Sequence, residues 1–208
     1  MFRNSIGKFN VYSDSNFKIA KNETEINDIY ALRYKVYVEE MKKNISSVNN
    51  LSKFLKDSRD DHSVHFCLCD CNGVYACLTS VVGFMTNFTE SEEKSFSLDS
   101  FSGYINKEEI SISRKLIVDP SRRNLRAAIS IIRNARIYAI NNGIKIDFCH
   151  CYPHLIPFYK KLGYKTYKES IKYDGTNGKT VPLFRLMEDS DKIYYQDVFR
   201  ISKKIKVG

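Results

Sequence analysis

The chain has no tryptophan and only four prolines in 208 residues, and none of its six cysteines is spaced Cys-x-x-Cys. Without that spacing, and in a reducing cytosol, no disulfide framework is implied, and the cysteines read as thiols lying in strands. Nothing approaches the run of ~18 apolar residues that a membrane-spanning helix needs. The opening Met1-Phe2-Arg3-Asn4-Ser5 lacks the apolar block of a secretory signal, so a cytoplasmic protein is expected. Low-complexity tracts are also missing, and 43% hydrophobic residues make an ordinary globular composition. At 24.2 kDa the chain is large enough for one buried core and too short for two, which predicts a single domain over residues 1–208. Acidic residues are in deficit, 24 against 33 basic, giving a net charge of +9. Such a surface steers acidic partners inward. With no helix-turn-helix, zinc-finger or RNA-binding aromatic signature, nucleic acid is disfavoured, which leaves an acidic carrier protein or peripheral contact with an anionic membrane.

The most informative stretch is 110–143. A β-patterned run from Ile110 to Val118 stops at Asp119-Pro120 and passes through Arg122, Arg123 and Arg126 into an apolar-periodic helix. A strand that breaks into a helix start leaves backbone N–H groups unpaired and partly positive, and the arginines add to that preference for an anion. The expected ligand is a phosphorylated cofactor arm. Arg123, Asn124 and Arg126 are the candidate phosphate contacts, within the segment Arg123-Asn124-Leu125-Arg126-Ala127-Ala128.

A second β-like run, Ile144 to Cys151, leads into Pro157-Phe158-Tyr159 and Leu162-Gly163-Tyr164. Val118-x-Pro120-x-x-Arg123, then a helix, a strand and Phe158-Tyr159-x-x-Leu162-Gly163-Tyr164, together resemble the acyl-donor core of the GCN5-related N-acyltransferase (GNAT) superfamily over residues 110–165. The resemblance implies an α/β (α+β) fold with a mixed, mostly antiparallel twisted sheet, a splayed central strand pair and flanking helices. It also implies an acyl thioester donor whose arm runs along Lys115, Leu116, Ile117 and Val118, with backbone N–H groups there stabilising the oxyanion. Where most members of that superfamily carry a first glycine, this chain has Arg126. Glycine lets the backbone close on a pyrophosphate, so a bulky cation there predicts a looser cradle. Phosphopantetheine on an acyl carrier protein fits such a cradle better than free coenzyme A.

Upstream, residues 22–41 read as a helix capped by Asn22, with Glu25 three residues on. Its apolar stripe is Ile26, Ile29, Tyr30 and Tyr37, and Arg33 and Glu40 fall on or beside that inward face. They either organise the floor of a pocket or form a buried ion pair. Leu32 to Glu40 is similar to the opening helix of the long-chain N-acyl amino acid synthases and the acyl-homoserine-lactone synthases, which favours the pocket. Asp57, Asp60 and Asp61 match acidic positions on the amine side of those enzymes, and as loop acids they have the alternative of simple solvation. Residues 22–85 are thus the acceptor side. Asn72-Gly73 predicts a hairpin turn. Residues 86–108 are a polar insertion whose Phe88, Phe96, Phe101 and Tyr104 are expected to anchor it, with a lid over a pocket as the lesser alternative. Residues 166–208 divide into a hairpin over 171–187, with a turn near Asp174-Gly175, and a tail whose periodicity suits a covering helix or a basic docking edge.

The chemistry needs a thioester carbonyl beside a neutral amine and a proton for the departing thiolate. Tyr159, at a position where the superfamily commonly carries tyrosine, is the expected proton donor. The lactone synthases carry a glutamate two residues before the Ser-Arg pair of the central strand, where this chain has Ser111, so either Glu109, one alternation earlier on the same face, or water is the candidate base. The absent tryptophans count against a lactone-forming enzyme. Cys67, Cys69 and Cys71, or Cys149, His150, Cys151 and His154, suggest zinc, but alternate strand residues stand ~7 Å apart, unlike zinc knuckles, and no metal is expected. The expected activity is transfer of a long acyl chain from acyl carrier protein to a small amine such as an amino acid. An acetyl-coenzyme-A-dependent N-acetyltransferase and a non-enzymatic acyl-coenzyme-A sensor are the rivals.

Overall fold

A computed structural model describes residues 16–123, 125–169, 171–172 and 178–187; Asn124, the predicted turn at Asp174-Gly175 and the tail from Asp189 lie outside the described residues. The sheet is built from β1 (Phe17–Ile19), β4 (Ser63–Asp70), β5 (Gly73–Val82), β6 (Ile110–Val118), β7 (Ile146–Cys151), β8 (Lys165–Thr166), β9 (Ile171–Lys172) and β10 (Lys179–Leu186). Its order is β1-β4-β5-β6-β7-β10-β8, with β9 on the start of β10. A separate small ladder joins β2 (Val48–Asn49) to β3 (Phe54–Leu55). The helices are α1 (Glu23–Tyr34), α2 (Glu90–Phe96), α3 (Leu125–Asn141) and α4 (Ile156–Lys161). This is the mixed, mostly antiparallel arrangement that the sequence predicts.

Among the described strands, β6 and β7 are the parallel pair, and α3 supplies their crossover. Pairing runs from Ile110↔Ile146 to Ser113↔Cys149 and stops there, although both strands continue. Beyond Ser113, β6 remains paired only to β5, so the centre of the sheet opens into a V. On the β5 side, Cys77↔Ile117 is followed by Thr79↔Arg114, so β6 carries one extra residue. That bulge holds Lys115 at φ 54°, a left-handed conformation few non-glycine residues adopt.

The two faces bury different sequences. Under α3, the small Ala127, Ala135 and Ala139 bring the helix close to Phe66, Leu68 and Leu78 of the sheet. Elsewhere, Phe88, Phe96, Phe101 and Ile105 of the 86–108 insertion pack on Ile112, Phe148 and Phe184. The insertion is therefore anchored as expected, except that Tyr104 is 47% exposed. Gly73, at φ 95°, closes the predicted hairpin. The helix expected over 22–41 starts on Asn22, whose side chain accepts from Glu25 N at 2.9 Å, but it becomes π-helical over Lys35–Glu40. Met41 N there reaches back to Val36 O, a five-residue step.

Candidate active site in the splay

The V between β6 and β7 widens into a cleft of about 1070 Å³. Leu78, Ile112, Leu116, Ile132 and Phe158 give it apolar walls, and Phe96 of the insertion contributes from α2. Lys115, Leu116, Ile117, Val118, Arg123, Leu125 and Ala128 all line it, so the strand-to-helix segment predicted for the donor is brought together here. Arg126 is exposed and is not among the lining residues, while Ala127 is buried against the sheet.

Glu40 is at the rim rather than on the floor. Its two oxygens accept from Arg123 Nη1 and Nη2, each at 2.7 Å, and this fork holds the Glu40 carboxyl below its usual range. Arg122 is likewise matched to Asp70, and Lys35 to Asp119 at 2.7 Å. An incoming phosphate therefore meets arginines that already hold carboxylates. Lys43 lies over the Tyr37 ring at 4.5 Å and the Tyr152 ring at 5.4 Å, and all three line the cleft.

Arg33 does not line the cleft. It is fully enclosed, bonding Asp60 at 2.8 Å and Thr79, with His65 Nδ1 at 3.4 Å, which is the ion-pair alternative. Its effect reaches the cleft through Asp60, whose other oxygen stands 3.6 Å from Lys115 Nζ. Lys115 also bonds Asp57, as does Arg114 at 3.4 Å, and these three do line the cleft. Burial alone would raise the Asp57 carboxyl, but Lys115 and Arg114 overcome it and hold the pKa at about 2. Desolvation and the nearby Arg33 lower the Lys115 ammonium. Of the three acids singled out in the sequence, Asp57 and Asp60 join this cluster, whereas the exposed Asp61 pairs with Lys56 at 2.7 Å.

Tyr159 lines the opposite wall, packed edge-on against Tyr164 with ring centroids 5.4 Å apart. Burial pushes its phenol well above the ordinary range, so it stays protonated at neutral pH. Glu109 is elsewhere: it bonds Asn106 N and pairs with Lys145 at 2.6 Å, before the start of β6. Five steps of ~3.3 Å along the strand separate it from the splay at Arg114, which is too far for a base. The carboxylate that does lie beneath the splay is Asp147, 1% exposed on β7, and sequence reasoning missed it. It accepts from Ser111 Oγ at 2.6 Å, Ser113 Oγ at 3.0 Å and Tyr164 OH at 2.5 Å. The signal available was the lone carboxylate of the β-like run from Ile144 to Cys151. Among the described residues, no cluster of three or more His, Cys, Asp or Glu side chains is arranged to hold a metal ion. A register shift at Leu68/Cys69 brings Cys67 and Cys69 Sγ to 3.4 Å, closer than regular alternation allows.

The sequence profile of the family described as N-acyl amino acid synthase FeeM matches residues 28–186. No individually curated protein matches the chain. Among solved structures, FeeM, an N-acyl amino acid synthase from uncultured soil microbes, superposes with a TM-score of 0.64 at 13% identity, covering 83% of this chain and 91% of that one. BjaI, a coenzyme-A-dependent acyl-homoserine lactone synthase solved with S-adenosylmethionine and isopentyl-coenzyme A, gives 0.64 at 14% identity over 87% and 82%. An N-acetyltransferase of Lactobacillus plantarum, so described only provisionally, gives 0.57 at 16% identity over 83% and 99%. At such identities the superpositions speak for the fold.

Proposed function

Since this chain belongs to the N-acyl amino acid synthase family and is an N-acyltransferase, we propose that it moves a long acyl chain from an acyl carrier protein to the amine of an amino acid or similar small molecule. The observation that carries the reading is the apolar cleft of about 1070 Å³ in the splay. Small-molecule pockets run about 300–1,000 Å³, so this one is at the upper end, and an acetyl group would leave most of it empty. At its rim stand the exposed apolar side chains of Met41, Leu125 and Leu155, a surface suited to a protein-borne donor. Arg126 in the place of a cradle glycine agrees with a donor that does not depend on a tightly held pyrophosphate. On the acceptor side, Asp57 faces the cleft beside Arg114 and Lys115, which is charge complementarity for a molecule bearing both ammonium and carboxylate.

In the reaction, the amine nitrogen bonds the thioester carbonyl carbon, the C–S bond breaks, and Tyr159 OH gives its proton to the sulfur. Backbone N–H groups of Lys115 to Ile117 hold the oxyanion, since β6 has no β7 partner there. The test is mass spectrometry of lipid extracts from a bacterial host producing the protein or its Tyr159→Phe variant, alongside donor competition between acyl carrier protein and acetyl-coenzyme A in vitro. A homologous series spaced by two carbons, with turnover reduced about 10²–10⁴-fold in Tyr159→Phe, is expected. Exclusive use of acetyl-coenzyme A would replace this reading with small-amine acetylation.

A further inference from the structure

We infer that Asp147 is the terminal proton acceptor of the transfer and that it works through Ser113, the last residue of β6 paired before the sheet opens. The inference rests on the acyltransferase reading of the cleft. Attack by the amine leaves a proton on nitrogen that some group must take, and Glu109 is occupied by Lys145 beyond the far end of the strand. Asp147 is the carboxylate beneath the splay, yet at 1% exposure it cannot touch a substrate itself. Ser113 connects the two regions. Its hydroxyl bonds Asp147 at 3.0 Å, and the residue also lines the cleft. Next to them, under α3, is a void of only about 10 Å³ lined by Ser111, Ser113 and Asp147, with room for little more than a water molecule. A proton can reach Asp147, and an acceptor molecule cannot.

The surroundings make Asp147 a stronger base than an exposed carboxylate. Burial raises the Asp147 carboxyl above the usual range, opposed by Arg185, its cross-strand partner on β10, and by the hydrogen bonds it accepts. The other titratable groups nearby are Tyr164, Tyr159, Cys149 and Tyr138, whose phenols and thiol burial pushes upward, and His150 of β7, which also lines the cleft but which burial lowers to about 4, so none of them competes as a base at neutral pH. The nitrogen proton passes to Ser113 Oγ as the Ser113 hydroxyl proton passes to Asp147. Tyr159 meanwhile protonates the leaving sulfur. After the products leave, solvent returns a proton to Tyr159 and removes one from Asp147.

Ser113→Ala is the first variant to measure, because Asp147 keeps its bonds to Ser111 and Tyr164 and the fold is spared. Asp147→Asn is the second. Both are assayed as the full chain with long-chain acyl carrier protein and, separately, long-chain acyl-coenzyme A, each with a mixture of amino acids, following thiol release against pH. The wild-type kcat should rise with pH as Asp147 loses its proton. Both variants should lose that limb and about a hundredfold in kcat, with the donor KM unchanged and, for Ser113→Ala, an unchanged Tm. A Ser113→Ala enzyme that keeps the wild-type kcat and acidic limb would overturn the relay and leave the acyltransferase reading intact. Absence of thiol release from the wild type with every donor would overturn that reading and the relay with it.

Discussion

Arg33 is the largest of the wholly enclosed side chains, and everything it bonds is also buried. Removing one member of such a pair leaves the other charge in a dry site, which costs about 3–5 kcal/mol. Arg33→Met should lower stability by that amount in urea or thermal unfolding, and adding Asp60→Leu should restore much of it. Equal losses in the single and double variants would rule out the pairing account. The sequence placed Arg33 on the inward stripe but left two roles open, because helical periodicity gives a face and says nothing of depth. Glu40 shows the same limit: its partner Arg123 is 83 residues away, and no local pattern joins them. The place of Tyr159 on the cleft was legible because its motif follows directly on the strand that ends at Cys151. Asp147 was not, since its meaning comes from pairing with Ser111 across a whole helical crossover.

Among the elements, the strand-to-helix passage of 110–143 could be read directly, since period two gives way to period 3.6 at a proline. The π-helical turns over Lys35–Glu40 could not, because nothing in residue choice separates them from an α-helix. The bulge at Lys115 was equally hidden, as lysine is a poor signal of positive φ. The insertion is held by more than its phenylalanines. Gly83, just after β5, bonds Ile110 O through its own N–H, and a Cβ there would stand 1.8 Å from Lys107 O. Gly83→Ala must therefore push the segment before β6 off the sheet and should destabilise by about 1–3 kcal/mol, as overpacking does. Chemical denaturation measures this, and a neutral result would mean that the insertion is more loosely seated than its three buried phenylalanines imply.

For the molecule as a whole, the net charge of +9 is tempered around the strand-to-helix passage, where Arg122, Arg123 and Lys35 each hold a carboxylate. If the proposed acidic carrier is the donor, its attraction is long-ranged and general, and it should be screened as the Debye length falls from ~10 Å at 0.1 M salt to ~3 Å at 1 M. Stopped-flow association with acyl carrier protein should slow at least tenfold over that range, and Arg126→Ala should flatten the dependence. A rate indifferent to salt would count against a charge-guided carrier. The splay has one more result. By parting β6 from β7, it turns the middle of the sheet into two interior edges, each offering main-chain groups to any extended chain that enters. Other proteins shield such edges with charge or a covering segment, and here Arg114 and Lys115 stand beside one of them. The V is thus an interior counterpart of the exposed sheet edge through which strands of other chains pair.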